Sequence, residues 1–293
     1  VSTLPTVNGE KCVIRILATG DVGVRKITDL GMTPYNYDRF SRLIKVPQGV
    51  MLVTGPTGSG KTTTLYAALG ELAKPNVNVI TVEDPVEKNI EGINQCQVNA
   101  KAGMTFAAAL RSILRQDPDI VMVGEMRDQE TAEIAIRAAI TGHMVLSTLH
   151  TNDAASTITR LVDMGVAPYM VATSLIGIVA QRLCKVVCNE CKTPRMSTPE
   201  ENELLGITES ATIYDACGCP KCNNTGYTGR TAIHEILLCT HEMASLIAAD
   251  GKVDAISSLA KEQGCKLLRD NVAELVLEGR TTLDELVKLT FAV

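Results

Sequence analysis

Two stretches of this chain join the residue types that phosphate and metal chemistry needs. "GPTGSGKT", Gly55 to Thr62, fits G-x-x-x-x-G-K-[ST] and lies between the apolar run "MLVT" and the helix-like "TTLYAALGEL". That strand–loop–helix setting is what a phosphate-binding loop requires. Its glycines let consecutive backbone N–H groups turn toward phosphate oxygens with no Cβ in the way, and the helix N-terminus adds partial positive charge. The expected nucleotide-binding residues are Gly55, Pro56, Thr57, Gly58, Ser59, Gly60, Lys61, Thr62 and Thr63. Lys61 would reach the β- and γ-phosphates of ATP, and the Thr62 hydroxyl would ligate Mg2+. A glycine-rich turn that binds nothing is the plain alternative.

"DIVMVGEMRD", Asp119 to Asp128, is an apolar run of strand length that ends in Gly124-Glu125-Met126-Arg127-Asp128. Strands buried on both faces read this way, and polar residues just past their carboxyl ends face the usual ligand crevice of an open α/β sheet. Glu125 is thereby placed where nucleotide hydrolases keep the carboxylate that holds Mg2+, directly or through water. "ITVEDPVE" closes with Glu83 and Asp84 ahead of Pro85, and "MVLSTLHT" closes with His150, with His143 at its start. A parallel sheet would gather the phosphate loop, Glu83, Glu125 and His150 along one edge. Singly, Glu-Asp-Pro is a common turn and a histidine is ordinary packing. These residues alone leave Glu83 and Glu125 interchangeable in role.

A third constellation is "CNEC" at Cys188 and Cys191, followed by "CPKC" at Cys219 and Cys222. Tetrahedral Zn2+ takes four thiolates, and two C-x2-C knuckles supply them in a closed structural site. Cys184 and Cys217 offer alternative partners, and a redox C-x-x-C pair is the rival reading. Cys12, Cys96, Cys239 and Cys265 sit in apolar segments and read as reduced core thiols.

The elements that must position these residues follow from the rhythm of the chain. Its 293 residues, 45% hydrophobic and 21% charged, suffice for one large domain or two smaller ones. A net charge of −5, no Trp and only three Phe argue against a nucleic-acid-coating protein. No apolar run reaches the ~18 residues of a membrane span, so a soluble, cytosolic chain is expected. Its start in "VSTLPTVNGEKCVIRIL", without Met, suggests a fragment of a longer protein.

Residues 1–47 hold an Asn8-Gly9 hairpin signal, the β-rich "KCVIRIL" and the helix-like "NYDRFSRLI". They are expected to be the C-terminal part of a small α/β domain plus a linker. From residue 48 to 293 short apolar runs alternate with helical patterns: "VMLVT", "VNVITV", "DIVMV", "HMVLSTL". This predicts βαβ units and a mostly parallel sheet. In "TFAAALRSILRQ", Phe106, Leu110, Ile113 and Leu114 share one helix face, and Arg111 and Arg115 share another. Residues 184–229, rich in Cys, Pro, Gly and Asn, read as an insert, after which helical patterns resume to the C-terminus.

Over nearly its whole length the sequence resembles the type II secretion and type IV pilus assembly ATPases, hexameric motors of the additional-strand branch of P-loop ATPases. The resemblance rests on "GPTGSGKTTTLY" as Walker A, "ITVEDPVE" as aspartate box, "LRQDPDIVMVGEMRDQETA" as Walker B region and "TGHMVLSTLHTN" as histidine box. It implies an α/β RecA-like core with a small N-terminal domain remnant and a tetracysteine insert. By that resemblance Glu83 is the general base for the attacking water, Glu125 the Mg2+-associated carboxylate and His150 a contact or sensor for the γ-phosphate. Arg15, in "VIRIL", matches the later of two family arginines that reach the nucleotide, the earlier falling before Val1. Arg111, Arg115 and Arg127 are further candidates for phosphate contact or for ion pairs at a subunit boundary. The cofactors implied are ATP, Mg2+ and Zn2+. The partners implied are further copies in a homo-hexamer and an inner-membrane platform protein, with no nucleic acid and a cytoplasmic location at the membrane. A nucleic-acid translocating RecA-like ATPase and a nucleotide-gated scaffold are the competing functions.

Overall fold

The computed structural model describes residues 2–14 and 24–291. The Asn8-Gly9 signal becomes a hairpin of β1 (Ser2–Thr6) and β2 (Gly9–Val13), in which Thr6 pairs with Gly9. Arg15 lies outside the described residues. Thr33 caps α1 (Pro34–Leu43) by accepting the Asn36 N–H at 3.2 Å. Phe40, Leu43 and Ile44, within the stretch 1–47 expected to be the C-terminal part of a small domain plus a linker, are buried in an apolar cluster against the sheet described next.

The chain then builds β3 (Gly49–Thr54), α2 (Lys61–Leu72), β4 (Val79–Glu83) and β5 (Asn94–Gln97). α3 (Phe106–Ile113), β6 (Ile120–Val123), α4 (Gln129–Ile140) and β7 (Met144–Leu149) follow. Next come α5 (Ala154–Asp163), α6 (Pro168–Ser174) and the long β8 (Leu175–Val187). A small two-stranded sheet of β9 (Lys192–Met196) and β10 (Thr212–Ala216) flanks α7 (Pro199–Leu205), and β11 (Tyr227–Leu238) returns to the main sheet. The chain continues through α8 (His241–Ala248), α9 (Val253–Glu262), α10 (Leu268–Leu277) and α11 (Leu283–Phe291).

The main sheet has seven strands in the order β11-β8-β3-β7-β6-β4-β5. All neighbours run parallel except β11, which is antiparallel to β8. Successive side chains of a strand point to opposite faces, and β3 divides accordingly. Val50 and Leu52 enter the apolar cluster that also holds Leu110, Ile136 and Ile158, while Met51 and Val53 enter the one with Leu65, Leu69 and Phe40. Both faces are thus covered by helices, which explains why the central strands are apolar throughout.

The sequence reading differs from the structure at one large feature. Residues read as the edges of an insert and as renewed helix belong to β8 and β11, which pair from Gly177↔Leu238 to Val187↔Tyr227. The cysteine-rich excursion therefore shares both its ends with the main sheet, and helices resume only at His241. The excursion is also tied to the C-terminal helices, with Val187 N–H donating to Arg280 O at 2.9 Å and Lys192 Nζ to Gly279 O at 2.9 Å.

Candidate functional site

Between the end of β3 and the start of α2 the chain turns tightly under β8. Gly55 has φ +146, and a Cβ there would stand 2.3 Å from Gln181 O; Gly60, with φ +88, would place one 2.9 Å from Gln181 Nε2. Only glycine fits either position. Gln181 holds the turn from both sides, its Nε2 donating to Ser59 O at 2.8 Å and its Oε1 accepting from Thr64 Oγ1 at 2.6 Å. Lys61, the first residue of α2, is 9% exposed and donates to Gly55 O at 2.8 Å and Pro56 O at 3.0 Å. Burial lowers its pKa, an effect that the charge of Glu125 opposes. The N-terminus of α2 offers free backbone N–H groups beside that ammonium, which is the setting for an anion.

A cavity of about 650 Å³ opens in front of the loop, lined among others by Lys61, Thr62, Glu83, Glu125, Arg127 and His150. The structure thus brings together the four features read from separate strands. Hydrogen bonds across β6 and β7 fix two of them: Ser147 Oγ donates to Val123 O at 2.7 Å, Thr148 Oγ1 to Gly124 O at 2.7 Å, and Met126 N–H to Thr148 O at 3.1 Å. The two loops then enter helices through aspartate caps, Asp128 accepting from Thr131 N at 2.8 Å and Asp153 from Ser156 N at 2.7 Å. Glu125 divides its carboxylate between Arg127 and His150, whose Nε2 lies 3.5 Å from Oε2.

Glu83 is 3% exposed. Its carboxylate accepts from Tyr66 Oη, from Thr81 Oγ1 at 2.7 Å and from Gln95 Nε2 at 3.0 Å. Of the three candidate arginines only Arg127 lines the cavity. Arg111 pairs with Glu130 at 2.5 Å, and Arg115 is exposed just past the end of α3. His143 sits at the opposite end of β7, where Nδ1 meets Ala138 O at 2.9 Å.

Sequence reasoning missed several residues that shape this site. Gln181, Tyr66 and Gln95 are the first. Glu235 of β11, 4% exposed, is another: its two oxygens accept the N–H groups of Ala154 at 2.9 Å and Leu268 at 3.1 Å, so one carboxylate caps α5 and α10 together. The only sequence signal for Gln181 or Glu235 was a polar residue inside an apolar run. A second cavity of about 690 Å³ adjoins the loop at Gly58, Gly60, Thr62 and Thr63 and is walled by Val24, Leu30, Leu183 and Arg230.

Among the described residues, Cys188, Cys191, Cys219 and Cys222 are the group whose sulfurs all lie within 4.8 Å of one another. Sγ separations of 3.9 Å (188–219), 3.9 Å (191–222) and 3.7 Å (219–222) match the edge of about 3.8 Å that a tetrahedron with 2.3 Å Zn–S bonds would have. Backbone N–H groups point at the sulfurs, from Gly218 to Cys191 at 3.2 Å and from Cys219 and Gly226 to Cys222 at 3.1 Å and 3.2 Å. Cys184 lies apart, against Thr281 Oγ1 at 3.1 Å, and Cys217 meets Thr193 Oγ1 at 2.9 Å. Neither belongs to the cluster.

A glycine-lined turn on a mostly parallel sheet, with carboxylates at the neighbouring strand ends, defines a P-loop α/β core of the kind that binds nucleoside triphosphates. The chain belongs to the Type II/IV secretion system protein family, whose sequence profile matches residues 1–288. It is 49% identical over 294 residues to the type IV pilus assembly ATPase PilB of Thermus thermophilus, covering 99% of this chain and 33% of that protein. It is 48% identical over 292 residues to the type II secretion system ATPase E of Vibrio cholerae, covering 99% of this chain and 58% of the relative. The crystal structure of the pilus retraction motor PilT with bound ADP is similar with a TM-score of 0.73 at 29% identity, over 98% of this chain and 72% of that one.

Proposed function

We propose that the chain is the motor core of an ATP-hydrolysing hexamer that powers assembly of pilin or pseudopilin subunits, in type IV pilus extension or type II secretion. The observation that carries the reading is the meeting of Lys61, Thr62, Glu83, Glu125 and His150 at one cavity in front of the loop. The names of the curated relatives, a pilus assembly ATPase and a secretion ATPase, support the same activity class.

In this reading Lys61 leaves the loop carbonyls for the β- and γ-phosphates, and the α2 N-terminus and loop N–H groups hold the remaining oxygens. Thr62 and Glu125 would hold Mg2+, which when bound neutralises charge on the phosphates. Glu83 takes the proton of the attacking water: its three donors leave acceptor capacity on the carboxylate. His150 contacts the γ-phosphate, and Arg15 reaches the nucleotide from the preceding segment. The four thiolates of Cys188, Cys191, Cys219 and Cys222 would hold a structural Zn2+, which when bound would cross-link the excursion between β8 and β11. No helix among the described residues is long and apolar enough to cross a membrane; the motor works on the cytoplasmic side of the inner membrane, bound there through a platform protein.

The test is ATP hydrolysis by the full-length protein with and without its membrane platform, beside Lys61→Ala. Stimulation by the platform, loss of hydrolysis in Lys61→Ala and a rate per chain that falls on dilution to monomer are expected. Stimulation by single-stranded DNA instead of the platform would replace this reading with a nucleic-acid motor.

A further inference from the structure

We propose that Tyr66, together with Gln95, is a positioning residue that aims the Glu83 carboxylate at the attacking water and ties that aim to the phosphate loop. This rests on the assignment of Glu83 as general base.

Glu83 ends β4 and is almost wholly buried, so its carboxylate is oriented by the donors around it. They come from three elements: Thr81 from the same strand, Gln95 from the neighbouring strand β5, and Tyr66 from α2. Each of the two outlying donors is itself held from another direction. The Tyr66 hydroxyl accepts the Glu87 N–H at 3.2 Å. Gln95 donates from Nε2 to Lys88 O at 3.0 Å and accepts the Ile90 N–H on Oε1 at 2.7 Å. The segment that leaves β4 is thereby fastened to the same side chains that hold the carboxylate.

Tyr66 also stands four residues after Thr62 in α2, one helical turn away on the same face. A nucleotide that engages Thr62 therefore acts on the helix whose next turn carries the phenol that grips Glu83. The ring is buried at 4% exposure among the apolar residues of the α2 face. Burial first, and then the hydrogen bond to Glu83, raise the Tyr66 pKa, so the hydroxyl remains a donor. A buried carboxylate bound by three fixed donors loses the rotational freedom that would spread its lone pairs over unproductive directions, and misplacement by about 1 Å costs on the order of a hundredfold in rate.

The experiment is single-turnover and steady-state ATP hydrolysis by the full-length protein carrying Tyr66→Phe, Glu83→Gln or both, with nucleotide affinity measured in parallel. Phenylalanine keeps the buried ring, and circular dichroism and thermal melting report whether the fold is retained. The expected result is that Tyr66→Phe lowers kcat by between about tenfold and a hundredfold, leaves KM within about twofold, and costs nothing further in the Glu83→Gln background. Gln95→Leu should behave in the same manner. Equal rate losses from Tyr66→Phe in both backgrounds, or a change confined to KM, would overturn the positioning role while leaving Glu83 as the base. Full activity in Glu83→Gln would remove the base assignment itself, and the positioning role with it.

Discussion

His150 Nε2 and Glu125 Oε2 lie 3.5 Å apart across the ends of β7 and β6, and the other oxygen of that carboxylate is paired with Arg127. The carboxylate that the proposed function gives to Mg2+ is thus occupied by a cationic neighbour. The arginine side chain is 61% exposed and the glutamate 16%. A half-solvated pair of this kind contributes about 0.2–1 kcal/mol. Arg127→Gln should therefore lower the Mg2+ concentration for half-maximal hydrolysis by between about 1.4-fold and fivefold. A Mg2+ titration of the ATPase at low salt checks it. A raised Mg2+ requirement would mean that Arg127 assists the site instead of competing for Glu125.

Gln181 connects β8 to the phosphate loop at Ser59 O and to α2 at Thr64 Oγ1. Gln181→Leu would leave a buried carbonyl and a buried hydroxyl without their partner, at about 1–3 kcal/mol for each group. The variant should be measurably less stable in chemical denaturation and should bind nucleotide more weakly. A variant that lost neither stability nor affinity would show that the loop keeps its shape without the amide.

The positions of the loop and of Glu83, Glu125 and His150 were legible in the sequence because each apolar run ends in a polar residue where its strand leaves the sheet. The β8–β11 pair was not. In "TAIHEILL" Ile233, Ile236 and Leu237 stand at i, i+3 and i+4, the spacing of a helix face, yet the segment is a strand that pairs with residues roughly 50 positions earlier. Long-range pairing leaves no mark in a local window, and so the roles of Gln181 on one strand and Glu235 on the other were hidden with it. Tyr66 was hidden differently: it lies on the buried face of α2, where an aromatic residue reads as packing. The four thiols were legible as a set because two C-x2-C knuckles at a distance specify a tetrahedral site by spacing alone.

None of the four clustered cysteines lines the cavity in front of the glycine-rich loop. Purified protein in reducing buffer is expected to carry about one equivalent of zinc per chain, as a closed tetrathiolate site requires. Cys222→Ser should lose the metal and make residues 188–226 sensitive to protease, while nucleotide affinity stays within about twofold. Less than about half an equivalent of zinc in the unaltered protein would count against the metal. So would resistance to proteolysis that survives the substitution.

Glu235 joins the start of α5, which follows the His150 loop, to the start of α10. Its partners are helix N-terminal N–H groups, which favour a carboxylate, but burial outweighs them, and with Asp153 and Asp270 nearby its pKa is raised above the ordinary 4.5. Because the folded value lies above the unfolded one, the native state binds this proton more tightly. The stability this adds is complete below pH 4.5 and is lost as the pH climbs through the raised folded value. Glutamine cannot titrate, and its single carbonyl satisfies one of the two N–H groups while its NH2 faces the other, a cost of about 1–3 kcal/mol. Glu235→Gln should therefore be less stable than the unaltered protein, by a margin that is widest at the acid end and narrows as the pH rises. Urea unfolding of both proteins over a range of pH measures that margin. A margin that widened with pH would mean that the two helix ends, and not burial, dominate the electrostatics of this carboxylate.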